Sequence, residues 1–136
     1  MRRRWMAVLL LAAGCGPGRP APGEWVPLAE WQGAAISYHP ASLRRQADGS
    51  LTATVALDYT VPQTFQQTAY TRHEMRVHVH CTQKLVGSTD FTLFAGGRRV
   101  RTGTSPAEWY AVREQGSAES AWFPALCRQV EPAATG

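Results

Sequence analysis

Three cysteines and two histidines spaced two apart are the residues whose chemistry can be read first. Cys15 closes the stretch Leu11-Ala12-Ala13-Gly14-Cys15, behind an apolar run that begins at Met6 and an Arg2-Arg3-Arg4 start. A positive n-region, a short apolar h-region and small residues before a cleavage point are the layout of an exported precursor, and a cysteine at that point makes the stretch a lipobox. The expected chemistry is transfer of a diacylglyceryl group to the Cys15 sulfur, cleavage that makes Cys15 the new N-terminus, and acylation of the freed amine. Each buried methylene contributes about 0.8 kcal/mol, so more than one acyl chain gives stable anchoring. The apolar run falls well short of the roughly 20 residues that a membrane-spanning helix needs, so residues 1–14 read as a signal that is removed. An ordinary secretory signal that happens to hold a cysteine is the plainer alternative. Arg2-Arg3 also opens a twin-arginine pattern, but its remainder is missing.

With Cys15 assigned to lipid, Cys81 and Cys127 remain, and an oxidising compartment favours joining them in one disulfide. The loop so closed, of about 46 residues, corresponds to roughly 4 kcal/mol in the chain-entropy model. His78 and His80 share what reads as the outward face of a strand, a spacing that can present two imidazoles to one ion. A zinc or copper site needs further ligands, and only Glu74 and Asp90 are plausible neighbours; exposed histidines are the simpler reading, and no metal site is assigned. His73 has the opposite parity and goes with Met75 and Val77 at the edge of the core. None of Ser42, Ser50, Ser88, Ser105 and Ser117 sits in a Gly-x-Ser-x-Gly elbow. Gly96-Gly97 lacks a following helix or lysine, Lys84 being the only lysine in the chain, so no phosphate loop is present. The expectation is a chain with no catalytic residues and no cofactor. Trp25, Trp31, Trp109 and Trp122 could line a ligand groove, although packing in the core is the default for such side chains.

Composition narrows the partners. Of 14 basic residues three lie in the signal, leaving 11 against 10 acidic ones, so neither a nucleic-acid footprint nor a polybasic membrane patch survives in the mature chain. Arg98, Arg99 and Arg101 form the one local basic run, which a solvated strand edge explains. Roughly 120 mature residues suffice for one domain and are too few for two. The expected organisation is a signal at 1–14, a lipidated Cys15 with a flexible Gly/Pro linker through 23, and a single domain over 24–136.

Those residues must be positioned by strands. Apolar alternation predicts a hairpin from 25–31 and 34–39, the second strand ending at Pro40. Residues 51–59 give the clearest period of two, after a turn at Asp48-Gly49. A polar stretch at 61–69 reads as the longest loop, aromatic-tipped at Phe65 and Tyr70. A long strand follows at 74–82 with Cys81 facing inward, then one at 85–94 with Leu85, Thr89, Phe91 and Leu93 on one parity, then one at 98–102. Ala118, Ala121, Trp122, Ala125 and Leu126 fall on one helical stripe with Ser117 as N-cap. Pro124 interrupts that stripe, so the helix either starts near Ala121 or bends. Together these elements make an antiparallel meander with one C-terminal helix.

The same residues, in this order, resemble the surface-adhesin protein E-like family of small bacterial lipoproteins. The resemblance rests on Trp25-Val26, on Tyr38 with Pro40-Ala41-Ser42-Leu43-Arg44-Arg45, on Asp58-Tyr59 with Pro62-Gln63, on a cysteine closing the next strand, and on Trp109, Gly116-Ser117, Trp122 and the last cysteine. The chain departs from the family pattern at His39, at His80 and at Pro124. The resemblance implies an α+β fold: a twisted antiparallel sheet of about six strands with the C-terminal helix packed on one face and tethered by the disulfide. It also implies a lipid-anchored, non-catalytic binding module of the cell envelope, since the family's named member is an adhesin for host proteins. The expected partners are the membrane through lipid, another protein, and a second copy in a homodimer, with Phe65, Tyr70, Arg76, His78 and His80 as the contact residues. A periplasm-facing envelope component, of structural role or holding a small apolar ligand between sheet and helix, is the competing reading. Gly16 lacks the aspartate that retains many lipoproteins at the inner membrane, which favours the outer membrane and leaves open which side the domain faces.

Overall fold

The computed structural model describes residues 23–105, 108–113 and 115–130; the signal, Cys15 and the linker up to residue 22 lie outside them. Six strands, β1 (Val26–Trp31), β2 (Ala34–Arg45), β3 (Leu51–Phe65), β4 (Thr68–His80), β5 (Leu85–Ala95) and β6 (Arg98–Thr104), lie side by side in chain order. Every neighbouring pair is antiparallel. A two-residue β7 (Tyr110–Ala111) adds to β5 opposite Leu85 and Val86, and α1 (Ala118–Val130) closes the chain. The meander and its C-terminal helix are those expected from the alternation.

Period-two alternation places Ile36, Tyr38, Leu51, Ala53, Val55, Leu57, Val77 and Val79 on one side of the sheet, where they are buried together with Trp122, Phe123, Leu126 and Cys127 of α1. Each fully buried large side chain contributes about 1.5–3 kcal/mol. A helix of 13 residues is too short to persist alone in water, so this burial holds it. Its start is fixed by a reciprocal cap: the Ser120 N–H donates to Ser117 Oγ at 3.2 Å and the Ser117 N–H to Ser120 Oγ at 3.3 Å, a capping box with serine in both roles. The helix begins at Ala118 and continues through Pro124, which is exposed; the later start near Ala121 is therefore not adopted. An interior proline costs about 3 kcal/mol, which the cap, the buried face and the Cys81–Cys127 disulfide, with Cα atoms 5.8 Å apart, together offset.

Bulges account for the strands that differ from the sequence reading. β2 does not stop at Pro40: four residues, 40–43, are extruded where His39 pairs with Thr54 and Arg44 with Thr52. Ser42 bridges the gap, its Oγ donating to the His39 carbonyl at 2.6 Å and accepting the Thr54 N–H at 2.8 Å, so a side chain replaces the ladder bonds that the bulge breaks. The stretch 61–69 is not a loop. β3 and β4 continue through a second bulge, between Asp58 and Gln63, into a hairpin arm where Phe65 pairs with Thr68. Its two-residue turn, Gln66-Gln67, has φ of 45° and 68°, the geometry that matches strand twist in tight hairpins and that asparagine and glycine enter more readily. In β5 a shift between Arg76 and Val77 of its partner turns Leu85 and Gly87 outward while Phe91 and Leu93 stay inward, so the single parity expected across that strand does not hold.

Candidate functional site

Beyond Leu57 and Met75 the inner side of the sheet runs past the helix and carries a row of rings. Tyr59 meets Tyr70 at 6.0 Å, Tyr70 meets His73 at 6.2 Å, His73 meets Phe91 at 5.9 Å and Phe91 meets Phe65 at 5.7 Å, all edge to face. Such pairs contribute about 0.5–1.5 kcal/mol each beyond area burial. Phe65, Tyr70, His73, Phe91, Leu93 and Ser105 line a cleft of about 250 Å³, with no residue of α1 among them. The register explains the gathering: His73 lies opposite Leu57 and Leu93, and Phe91 opposite Met75 and Gly103. Gly103 is required there, because a Cβ at that position would come within 2.5 Å of the Phe91 ring. Burial holds the His73 imidazole below its ordinary value, which favours the neutral ring.

The arm over this cleft is clamped from the edge strand. Arg101 donates to Gln66 Oε1 and, at 3.4 Å, to Thr68 Oγ1, and its guanidinium lies 5.2 Å from the centre of the Phe65 ring. Arg101 thus does more than charge an edge, as the sequence suggested of Arg98, Arg99 and Arg101: it fixes the strained turn and holds Phe65, which stays 39 % exposed. Val61 in the adjoining bulge is 65 % exposed. An aromatic surface of this kind, rigid and partly in water, is the type of patch from which interface anchors are drawn.

The opposite side of the sheet is polar and separate. Arg72 pairs with Asp58 at 2.6 Å and Glu74 at 3.5 Å, and lies 4.5 Å from the Trp25 ring centre; Trp25 also stacks on His39 at 5.1 Å. Arg76 is exposed beside Asp90 at 3.9 Å, in a hollow of about 480 Å³ floored by Thr54, Thr92 and Thr102. Of the five expected contact residues, therefore, Phe65 and Tyr70 come together in the cleft, while Arg76, His78 and His80 lie across the sheet from them.

His78 corrects the sequence reading. It faces away from the core as its parity requires, yet it is only 9 % exposed, because Trp109 covers it at 4.4 Å between ring centres and also reaches His80 at 5.8 Å. Gly87 makes the seat: a Cβ there would lie 2.1 Å from His78 Nε2. Among the described residues that nitrogen is buried without a hydrogen-bond partner, and burial lowers the imidazole's proton affinity. Glu74 and Asp90, the neighbours considered for a metal, are engaged by Arg72 and Arg76, and among the described residues no group of three or more His, Cys, Asp or Glu is placed to hold an ion. The tryptophans divide likewise: Trp122 is in the core and Trp31 packs against it, whereas Trp25 and Trp109 cover the outer side.

Sequence reasoning missed His73, Phe91, Leu93 and Arg101 as members of one site. Only pairing register joins them, although the Phe91/Leu93 alternation and the Gly103 break in β6 were visible signals.

A meander sheet stapled to its C-terminal helix, with an aromatic arm projecting past that helix, defines a small disulfide-bonded α+β module. The family model described as surface-adhesin protein E matches residues 25–128, and the chain belongs to that family. No curated protein and no solved structure matches it significantly. Membership supports an adhesin-like surface protein at the cell envelope.

Proposed function

We propose that the chain is a lipid-anchored, non-catalytic module that binds another protein through the aromatic arm and the cleft beneath it. The observation that carries this reading is the exposed Phe65, held over Tyr70, His73 and Phe91 by Arg101. Strained turns persist where surrounding structure holds them, and they concentrate at ligand clamps. A partner covering Phe65 and Val61 removes apolar area from water at about 25 cal/mol per Å², and the clamped arm loses little conformational freedom on binding. Family membership supports the adhesin-like part. The anchor rests on the lipobox at Cys15 and its n- and h-regions; the single domain over 24–136, the linker before it and attachment to the outer membrane are parts of the same proposal.

The test is site-specific photo-crosslinking on cells expressing the full chain. A crosslinker at position 65 is expected to give a discrete protein adduct that Tyr70→Ala suppresses, and one at position 54, across the sheet, is not. Equal adducts from both positions, or none from either, overturn the assignment of the arm. Cys15→Ser is expected to abolish fatty-acid labelling and release the protein from the membrane fraction; retention of both means the lipobox reading is wrong.

A further inference from the structure

A second cleft, of about 360 Å³, lies beside the disulfide and shares no lining residue with the arm's cleft. Its walls are apolar: Val112, Phe123, Pro124 and the bonded pair Cys81 and Cys127. Ser120, whose hydroxyl donates to the Ser117 carbonyl at 2.6 Å, and two cations, Lys84 and Arg113, complete the lining. Both are exposed, and neither forms an ion pair among the described residues. Glu119 of the neighbouring hollow is occupied as acceptor of the Tyr110 hydroxyl at 3.2 Å.

Two features that local stability disfavours meet at this cleft. Pro124 sits inside α1 with its ring toward solvent, where it does nothing for the core and removes a helical hydrogen bond; here it supplies a rigid apolar wall. Lys84, the only lysine in the chain, adopts φ of 55°, a backbone region that residues other than glycine and asparagine seldom occupy. Its carbonyl accepts the Val112 N–H at 3.0 Å, which fixes the ammonium-bearing residue against the segment that brings Arg113. The cap at Ser117 and the disulfide hold the opposite wall in place.

We propose that this cleft binds a single-chain amphipathic anion, a medium-chain fatty acid carboxylate, with its alkyl chain along Val112, Phe123 and Pro124 and its headgroup between Lys84 and Arg113. The volume is at the small end of ligand pockets, which fits one acyl chain and excludes a diacyl lipid. Charge complementarity selects the carboxylate over a neutral amphiphile, and apolar walls select it over acetate. The site is independent of the arm, so its failure leaves the protein-binding reading untouched.

The experiment is calorimetric titration of the full-length Cys15→Ser chain, purified without detergent, with decanoate, decyl maltoside and acetate. Saturable one-site binding is expected for decanoate, at least tenfold weaker binding for decyl maltoside, and none for acetate. Lys84→Gln with Arg113→Gln is expected to weaken decanoate tenfold or more while leaving the melting temperature unchanged; Arg98→Gln, on the distant edge strand, serves as the charge control and is expected to have no effect. Equal binding of decanoate and decyl maltoside, decanoate binding that does not saturate, or the same loss on Arg98→Gln overturns the proposal. Because the three-ligand comparison uses unsubstituted Lys84 and Arg113, it stands even where the double variant misfolds.

Discussion

At the level of single residues, one glycine and two histidines show what close packing costs and requires. Gly87 leaves room for the His78 ring beneath Trp109, and Gly87→Ala would set a methyl 2.1 Å from Nε2 and 2.7 Å from the Glu108 carbonyl. The expected outcome is a loss of about 1–3 kcal/mol, the usual cost of overpacking, measured by urea denaturation, with a change in tryptophan fluorescence as Trp109 is lifted. The same burial makes stability depend on pH. His73 and His78 both bind protons less readily folded than unfolded, desolvation being the cause in each. The unfolded chain therefore takes up protons that the native one refuses, so stability is fully present above the unfolded imidazole value near 6.5 and is lost as pH falls through the lowered folded values. His73 faces Tyr70, Phe91, Leu57 and Leu93, and His78 faces Trp109, Gly87 and Thr52, with His80 against the same Trp109 ring. Thermal melts at about pH 7.5 and about pH 5 are expected to show a lower midpoint at the acid value, and His73→Phe to narrow the gap. Parity alone put His78 on the correct side of the sheet. It could not reveal Trp109, some thirty residues away in sequence, folding back over it.

At the level of elements, alternation and turn chemistry made the meander legible, and bulges set the limit. A period-two reading loses phase wherever an extra residue enters one strand, as it does around Pro40–Leu43 and at Tyr59–Pro62, where Pro40 reads as a strand end and Pro62 as part of a loop. What distinguishes a bulge from a loop is a side chain able to replace ladder bonds, and Ser42 is that side chain. Ser42→Ala leaves the Thr54 N–H and the His39 carbonyl without their partner and is expected to cost about 1–3 kcal/mol. Hydrogen exchange should locate the loss as faster exchange at Thr54 while Val79, remote from the bulge, stays protected. The arm gives the opposite prediction. Gln67 holds φ of 68° without a glycine's freedom, so Gln67→Gly is expected to raise stability by about 0.5–1 kcal/mol. The Arg101 contacts to Gln66 and Thr68 do not involve residue 67, so crosslinking from position 65 should persist. A fall in melting temperature would mean that the turn is not strained in solution.

At the level of the whole molecule, one covalent bond adds to the buried face that holds the helix on the sheet. The sheet's inner side is closed by 13 residues of α1, and among the described residues the Cys81–Cys127 bond and the Tyr110–Glu119 contact tie it down beyond its cap and buried face. The Tyr110 pKa is pushed up to about 12 by partial burial first, with the charge and hydrogen bond of Glu119 adding to it. The even cysteine remainder made the pairing legible from sequence. It did not disclose the apolar cleft beside the bond, because Val112 arrives through β7, a pairing of two residues too short to carry any pattern. Reduction of the disulfide, or Cys127→Ala, is expected to lower stability by about 2–5 kcal/mol. The loss should also uncover Ile36, Val55 and Val77, which Trp122 and Leu126 now help to bury. Because a free helix of this length does not persist, helical circular dichroism is expected to fall together with the core's protection from hydrogen exchange. The arm's cleft is lined by no helix residue, so its ring contacts should outlast α1 if enough of the sheet survives. Native near-ultraviolet signal and full helicity after reduction would show that packing alone holds α1, and the disulfide would then be a safeguard of the folded state rather than a condition for it.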